Sequence, residues 1–132
     1  MEILFTTDCL RVQWHAATGT LEMAWQCFAS GDEFRQAVST TLDLARQHGA
    51  RNWLSDNRLM RAIRVADQEW YSTALHAPLL ALGLRRMAVV ESEDAMNRMA
   101  VNGLLRQHAN TFTFELRQFA TLEEARTWLR SE

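Results

Sequence analysis

Leu-Arg-Val-Gln-Trp at residues 10–14 and Leu-Glu-Met-Ala-Trp at residues 21–25 decide the first step of the fold. In both stretches apolar side chains recur at every second position, which is typical of a half-buried β-strand. The residues between them, Ala-Ala-Thr-Gly at 16–19, suit a four-residue hairpin loop with the glycine in the left-handed conformation. This loop pairs His15 with Thr20 and predicts an antiparallel hairpin.

The hairpin register sets Val12 opposite Met23, and it places two further apolar pairs on the same face: Trp14 with Leu21, and Leu10 with Trp25. In this register Cys27 continues the apolar face, whereas Cys9 points to the other side of the sheet. Side chains on opposite faces cannot meet as a disulfide. The sequence therefore predicts two free thiols, as expected in a reducing cytosol.

Two helices flank a buried strand in the middle of the chain. Ser-Gly-Asp-Glu at 30–33 has the capping-box pattern that opens a helix, and Gly49 is expected to end that helix. Residues 52–55 are short, apolar and bounded by turn formers, which is typical of a strand buried on both faces. Asp67 is predicted to cap a second helix, which Pro78 ends or bends.

The last third of the chain repeats the strand-helix unit. Residues 84–90 end in an apolar run typical of a central strand, and the acidic residues at 91–94 suit a helix N-terminus. That helix is expected to bury a stripe formed by Met96, Met99, Ala100 and Leu104. The last strand is expected to contain Phe112, Phe114, Leu116 and Phe119. A capping box at 121–124 opens a final helix with an inner face of Leu122, Ala125 and Leu129.

The order of elements is hairpin, helix, strand, helix, strand, helix, strand, helix. Repeated strand-helix alternation implies right-handed crossovers and a largely parallel sheet. The sequence thus predicts an α/β fold over residues 1–132, with a single mixed, mostly parallel sheet, an N-terminal antiparallel β-hairpin and about four helices. A chain of 132 residues suits one domain with one core.

Charge and hydropathy narrow the classes of partner. All 14 basic residues are arginine, and the formal net charge is only −2, so no global field attracts nucleic acid. The acidic, weakly apolar start at residues 1–8 does not resemble a secretory signal. No apolar run approaches the roughly 20 residues of a membrane span. We expect a cytoplasmic protein without a membrane span and without nucleic-acid binding.

Four segments carry a family resemblance: Arg-Asn-Trp-Leu-Ser-Asp-Asn-Arg at 51–58, Asp-Gln-Glu-Trp at 67–70, Leu-Gly-Leu-Arg-Arg-Met-Ala-Val-Val at 82–90 and Leu-Glu-Glu-Ala-Arg-Thr-Trp-Leu at 122–129. In this order and spacing they resemble the bacterial STAS-like proteins, relatives of the anti-sigma-factor antagonists. The same sheet topology is found in SEC14-like lipid-binding domains. The resemblance implies a non-catalytic regulatory domain that acts by contact with a protein partner and forms a homodimer.

The resemblance also implies a candidate phosphosite. In the antagonists a Ser or Thr followed by Ser-Gly, after a central strand, is phosphorylated by a partner kinase, and this releases the bound partner. Ser55 is the nearest counterpart in this sequence. The residues after it, Asp56, Asn57 and Arg58, depart from that pattern.

The candidate interaction surface consists of Ser55, Asp56, Asn57, Arg58, Arg61 and Arg64. It follows a predicted parallel strand, and ligands of open α/β sheets gather at the carboxyl ends of strands. Between residues 46 and 64 there are five arginines and one aspartate, a local balance of five minus one, or +4, which could bind an acidic partner or a phosphate. Alternatively, the Asp and Asn form Asx turns and the arginines form a solvated face.

Other kinds of site lack a signature in this sequence. The histidines, His15, His48, His76 and His108, fall in four different elements without metal-ligand spacing or an orienting partner. No phosphate-cradling loop occurs. We therefore expect no metal, no cofactor and no enzyme; a catalytic site would need two of Asp56, Asp67 and His76 in one pocket. The alternative function is a small-molecule or lipid-binding module with a Trp-lined cleft beside residues 55–58.

Overall fold

Six strands form one sheet in which their spatial order is the same as their order in the chain. The computed structural model describes all residues from Met1 to Glu132. The first three strands are antiparallel neighbours and the remaining pairs are parallel. The strands are β1 (Glu2–Thr6), β2 (Leu10–His15), β3 (Thr20–Trp25), β4 (Asn52–Asp56), β5 (Arg86–Val90) and β6 (Glu115–Phe119).

Helical segments connect the parallel strands and cover both faces of the sheet. They are α1 (Gly31–His48), α2 (Val65–Trp70), a π-helical segment (Tyr71–Leu75), α3 (His76–Leu80), α4 (Ala95–Gln107) and α5 (Leu122–Arg130). The stretch from α2 to α3 keeps helical backbone angles throughout, so we treat it as one bent helix. Counted in this way, the protein has four helices, as predicted. The predicted fold class is confirmed. None of these helices combines the length and apolar character that crossing a membrane requires.

The β2–β3 hairpin has the predicted register. Val12 pairs with Met23, and the flanking apolar pairs Leu10–Trp25 and Trp14–Leu21 share its face. Gly19 adopts a φ of 64°, the left-handed value that the four-residue loop requires. The hairpin prediction is therefore correct in both its pairing and its turn.

Strand β1 was missed by the sequence patterns. It pairs antiparallel with β2, and the pairing shifts between Ile3 and Phe5 through a β-bulge. The bulge lets the consecutive side chains Leu4 and Phe5 both pack against the core. A period-two pattern cannot describe a strand that turns two neighbours to one side, which explains the omission.

The prediction of two free thiols is wrong, because Cys9 and Cys27 form a disulfide with Cα atoms 5.0 Å apart. Cys9 precedes the first residue of β2, and Cys27 lies two residues beyond the end of β3. The alternation of side chains holds only within a regular ladder. Outside it the backbone turns, and the two side chains meet across the open end of the hairpin. The disulfide removes the redox argument for a cytosolic location, which stays a prediction.

The N-terminus of α1 is capped by a residue that lies far away in the sequence. Ser30 is the N-cap residue as predicted, but its side chain makes no capping hydrogen bond. Instead the Asp67 carboxylate accepts from Gly31 N at 3.0 Å and from Arg35 Nε at 3.2 Å. Asp67 therefore caps α1 and not its own helix, whose N-cap residue is Arg64. The two capping predictions are corrected accordingly.

Pro78 lies within α3, directly after the π-helical segment. It lacks the N–H that would bond to the carbonyl of residue 74, and its ring crowds that carbonyl. The helix accommodates the missing hydrogen bond and the crowding by widening into the π-helix at Tyr71–Leu75. It therefore continues as far as Leu80. The expected disturbance is present, although it is spread over one wide turn.

Two apolar clusters lie on opposite faces of the sheet. The larger cluster packs one face against α1, the α2–α3 stretch and neighbouring segments. The smaller cluster lies between the other face and α5 and contains Leu54, Ala88, Val90, Ala125, Trp128 and Leu129.

Thr121 caps α5, accepting from Glu124 N at 3.2 Å, as the predicted capping box requires. Beside this cluster the buried Glu22 binds Arg126 through two hydrogen bonds of 2.9 and 2.7 Å.

The predicted inner face of α4 is correct at Leu104, which lines the cavity under the helix, and wrong at its first two positions. Met96 and Met99 are exposed, whereas Asn97 is fully buried and Val101 is half-buried. Asn97 faces inward because its amide donates to the Arg61 carbonyl at 2.8 Å, and this bond rotates the helix away from the apolar stripe.

The last strand is also shorter than predicted. It begins at residue 115, and Phe112 and Phe114 pack in the segment before it.

Candidate functional site

The carboxyl end of β4 divides the predicted site residues between the two faces of the sheet. Ser55 points to the side of the larger cluster, where its hydroxyl donates to Asn57 Oδ1 at 2.7 Å. Asp56 points to the other side and holds Arg58 through two side-chain bonds, each 2.9 Å long. The six predicted residues therefore do not form one continuous patch.

Asp56 makes the turn that leads out of β4. Its Oδ1 accepts from Arg58 N at 3.2 Å, which is an Asx turn of the kind proposed as the alternative role of this residue. The hydrogen bond from Arg58 to the carboxylate raises the pKa of the Arg58 guanidinium, although partial burial works in the opposite direction. Asp56 and Arg58 thus form a local structural pair.

Arg61 and Arg64 are exposed like Arg58, but Asp56 does not hold them. Arg61 is 66% exposed, and its nearest carboxylate, Asp94 Oδ2, lies 3.9 Å away. Arg64 is exposed and makes no ion pair. The other two arginines of the predicted +4 stretch, Arg46 and Arg51, lie before β4, at the opposite end of the strand. One cationic patch over residues 46–64 is therefore not formed.

The loop between β4 and α2 is fixed by hydrogen bonds to the next strand-helix unit. Ser92 Oγ donates to the Met60 carbonyl at 2.7 Å, and Glu93 N donates to the Arg58 carbonyl at 3.1 Å. Asn57 N donates to Val90 O at 3.0 Å. On this rigid loop Leu59 is 51% exposed. The loop therefore presents the apolar side chain of Leu59 between Arg58 and Arg61.

A cavity of about 150 Å³ lies between the sheet and the helices of the larger face. Seventeen of its 21 lining residues are hydrophobic, and they include Trp25 and Trp53. Ser55 and Asn57 contribute polar atoms from the end of β4. The predicted Trp-lined cleft beside residue 55 thus corresponds to this cavity. Ser55 lies in its wall, so the candidate phosphosite is not on an exposed loop.

Two histidines that are far apart in the sequence stack against each other. The ring centroids of His76 and His108 are 3.9 Å apart. Tyr71 Oη lies 2.9 Å from His76 Nδ1, and Thr111 Oγ1 lies 2.8 Å from His76 Nε2. Burial and the neighbouring His108 lower the pKa of His76, and burial raises the pKa of Tyr71 to about 12. The expectation that no histidine has an orienting partner is wrong.

The hydrogen bonds of His76 determine its tautomer. The Thr111 hydroxyl donates to the His108 carbonyl at 2.8 Å, so it must accept from His76 Nε2. The neutral ring then has its lone pair at Nδ1, which accepts from the Tyr71 hydroxyl. Residues 71 and 76 meet because a π-helix brings positions five apart onto one side. No periodic pattern in the sequence could reveal this contact.

Only one of the three residues considered for catalysis lines the cavity. Asp67 does so, while Asp56 lies on the opposite face of the sheet and His76 is not among the lining residues. The structure contains no group of three or more His, Cys, Asp or Glu side chains arranged to hold a metal ion.

Comparison with solved structures supports the fold. No family model matches this sequence. No curated protein matches it significantly. Among solved structures, the crystal structure of an anti-sigma factor antagonist from Mycobacterium paratuberculosis superposes with a TM-score of 0.59. The two sequences are 12% identical, and the alignment covers 97% of this chain and 100% of the other. The fold of this chain is therefore STAS-like, as the sequence resemblance implies.

Proposed function

We propose that this protein is a non-catalytic regulatory domain that binds an acidic surface of a protein partner through the loop between β4 and α2. Its structural neighbour is an anti-sigma factor antagonist, which supports a regulatory role. The observation that carries the proposal is the hydrogen-bonded loop on which Arg61 and Arg64 lie between two exposed apolar side chains, Leu59 and Val65. Arginine beside apolar surface is a common composition for the centre of a protein interface.

The proposed contact surface extends onto α4. Met96 is 62% exposed and Met99 is 68% exposed, and both lie near the start of this helix. Asn97, between them, is bonded to the Arg61 carbonyl, which places Met96 beside the loop. Flexible methionine side chains adapt to different partner surfaces. We define the contact surface as Leu59, Arg61, Arg64, Met96 and Met99.

A charge-reversal experiment tests this surface. The variant Arg61→Glu with Arg64→Glu is compared with Arg11→Glu plus Arg106→Glu, which changes the same charge at exposed positions outside the surface. Proteins captured from the host lysate are identified, and the affinity of the purified partner is measured at several salt concentrations. We expect at least a roughly tenfold loss of affinity for the first variant only. Equal binding by both variants would contradict the proposed surface.

Self-association is a separate part of the proposal. The family resemblance implies a homodimer, and β1 leaves one edge of the sheet unpaired. Light scattering over a dilution series should give a mass that falls from dimer to monomer. A monomer at every concentration, together with no captured partner, would contradict a function based on protein contact.

A further inference from the structure

The geometry points to a binding site for one small, largely aromatic molecule carrying a single hydrogen-bond acceptor, inside the cavity between the sheet and α1, α2 and α4. This inference does not depend on the proposed protein contact. Protein interiors contain few voids larger than a water molecule. A second space of about 150 Å³ lies beside Glu22 and Arg126, but only two of its eight lining residues are hydrophobic, so this cavity is distinguished by its apolar wall. Apolar cavities of about 150 Å³ stay dry and bind benzene-sized molecules.

The size of the cavity limits the class of ligand. Clefts for drug-sized ligands measure about 300–1,000 Å³. A space half that size or smaller accommodates one aromatic ring with a short substituent. The cavity volume therefore favours a small ring compound over a lipid.

One polar group in the cavity wall lacks a partner. Asn57 is 5% exposed, and Ser55 Oγ already donates to its Oδ1. The structure gives the amide nitrogen of Asn57 no acceptor. Asn57 Nδ2 is not one of the fully buried polar atoms that lack a partner, so a small molecule in the cavity can reach it. A ligand oxygen that accepts from Asn57 Nδ2 would satisfy it.

The position and the wall of the cavity also suit a ligand site. Ser55 and Asn57 lie at the carboxyl end of β4, where open α/β sheets bind their ligands. Tyr71 and Leu75, from the π-helical segment, form part of the wall. Single π-helical turns frequently occur at functional sites. Lining residues on the α2 and α4 side, such as Gln68 and Leu105, are half-exposed, so the cavity reaches the surface between these helices.

Toluene and phenol are suitable probes, because they have the same number of heavy atoms and differ by one polar group. Their affinities for the purified protein are measured by titration monitored by NMR, with thermal stabilisation as a second readout. We expect both probes to bind the unmodified protein in the submillimolar to millimolar range. If neither probe binds at about 5 mM, close to the solubility limit of toluene in water, the inference is overturned.

Two variants locate the site and the hydrogen bond. Val38→Phe fills the cavity from α1 and should abolish binding of both probes, whereas Val65→Phe, at an exposed position, should not. Asn57→Leu should lower the ratio of phenol affinity to toluene affinity about tenfold, the worth of one hydrogen bond. Circular dichroism checks that each variant folds. Binding that survives Val38→Phe, or an unchanged ratio in Asn57→Leu, would overturn the assignment.

Discussion

The two faces of the sheet are closed in different ways. On the face covered by α5, the small apolar cluster is bordered by buried charged groups, of which Glu22 with Arg126 is the best paired. On the face covered by the other helices, the larger cluster is almost wholly apolar and surrounds a cavity. The α5 face depends on specific charged partners, while the other face surrounds a cavity with an almost wholly apolar wall.

Arg86 provides a second example of this dependence on the α5 face. Its guanidinium lies 4.8 Å from the centre of the Trp128 ring and donates to the Trp128 carbonyl at 2.7 Å. That carbonyl, at the end of α5, also accepts from Ser131 N at 3.1 Å and from Ser131 Oγ at 2.7 Å. A buried cation here replaces the extra apolar side chains found on the other face. Stability on this face is thus concentrated in a few interactions.

The largest expected effect comes from breaking the ion pair on the α5 face. Arg126→Ala leaves Glu22, which is 3% exposed in its side chain, with only His15 Nε2 at 3.1 Å as a partner. We expect the free energy of unfolding to fall by about 3–5 kcal/mol, because a buried carboxylate loses its counter-ion. Urea unfolding measures the change.

Arg130→Ala is the matched control for this prediction. Arg130 lies on the same helix, is exposed and donates only to Thr127 Oγ1 at 3.3 Å. Its removal should change stability by less than about 0.5 kcal/mol. If Arg126→Ala is as mild as Arg130→Ala, the α5 face does not depend on this ion pair, and the contrast between the two faces is wrong.

An intermediate effect is expected from the disulfide at the edge of the larger cluster. Cys9 and Cys27 are separated by 18 residues, and a loop of this length contributes about 3 kcal/mol through the entropy of the unfolded chain. Urea unfolding with and without a reductant measures it. The denatured, unreduced protein should react with no thiol reagent. Two reactive thiols in that state would show that the bond does not form.

The smallest effect is expected from pH, through His76. Its pKa is lowered in the folded protein, so between that value and the ordinary value near 6.5 the unfolded chain binds more protons. The contribution of His76 to the free energy of unfolding is therefore fully present above about pH 6.5, and it is lost as the pH drops through the lowered pKa. Unfolding measured from pH 7.5 to 5 should show this decline, and His76→Gln should flatten it. An identical slope in the variant would assign the pH dependence to other groups.

The parts of the fold that local patterns determine could be predicted from the sequence. The hairpin register follows from alternating residues around Val12, and the start of α5 follows from the Thr121 capping box. Long-range partners could not be predicted. Asp67 caps a helix that begins 36 residues earlier, and His76 stacks on a ring 32 residues later.

The candidate site was found only in part, for the same reason. Residues 55 and 57 were chosen because they follow a strand, and the structure places both in the cavity wall. The cavity itself is a product of packing among side chains from several elements, so no single segment encodes it. The inward rotation of Asn97 likewise depends on a carbonyl of a distant loop.

Because the strands are arranged across the sheet in chain order, each one pairs with the strand that precedes it. A growing chain can therefore extend the sheet strand by strand, with short loop closures at every step. The contact between Arg126 and Glu22 spans the largest separation of any side-chain hydrogen bond, since it joins residues 104 positions apart. We expect this last helix to dock late during synthesis, so that an incomplete chain exposes the face that α5 later covers.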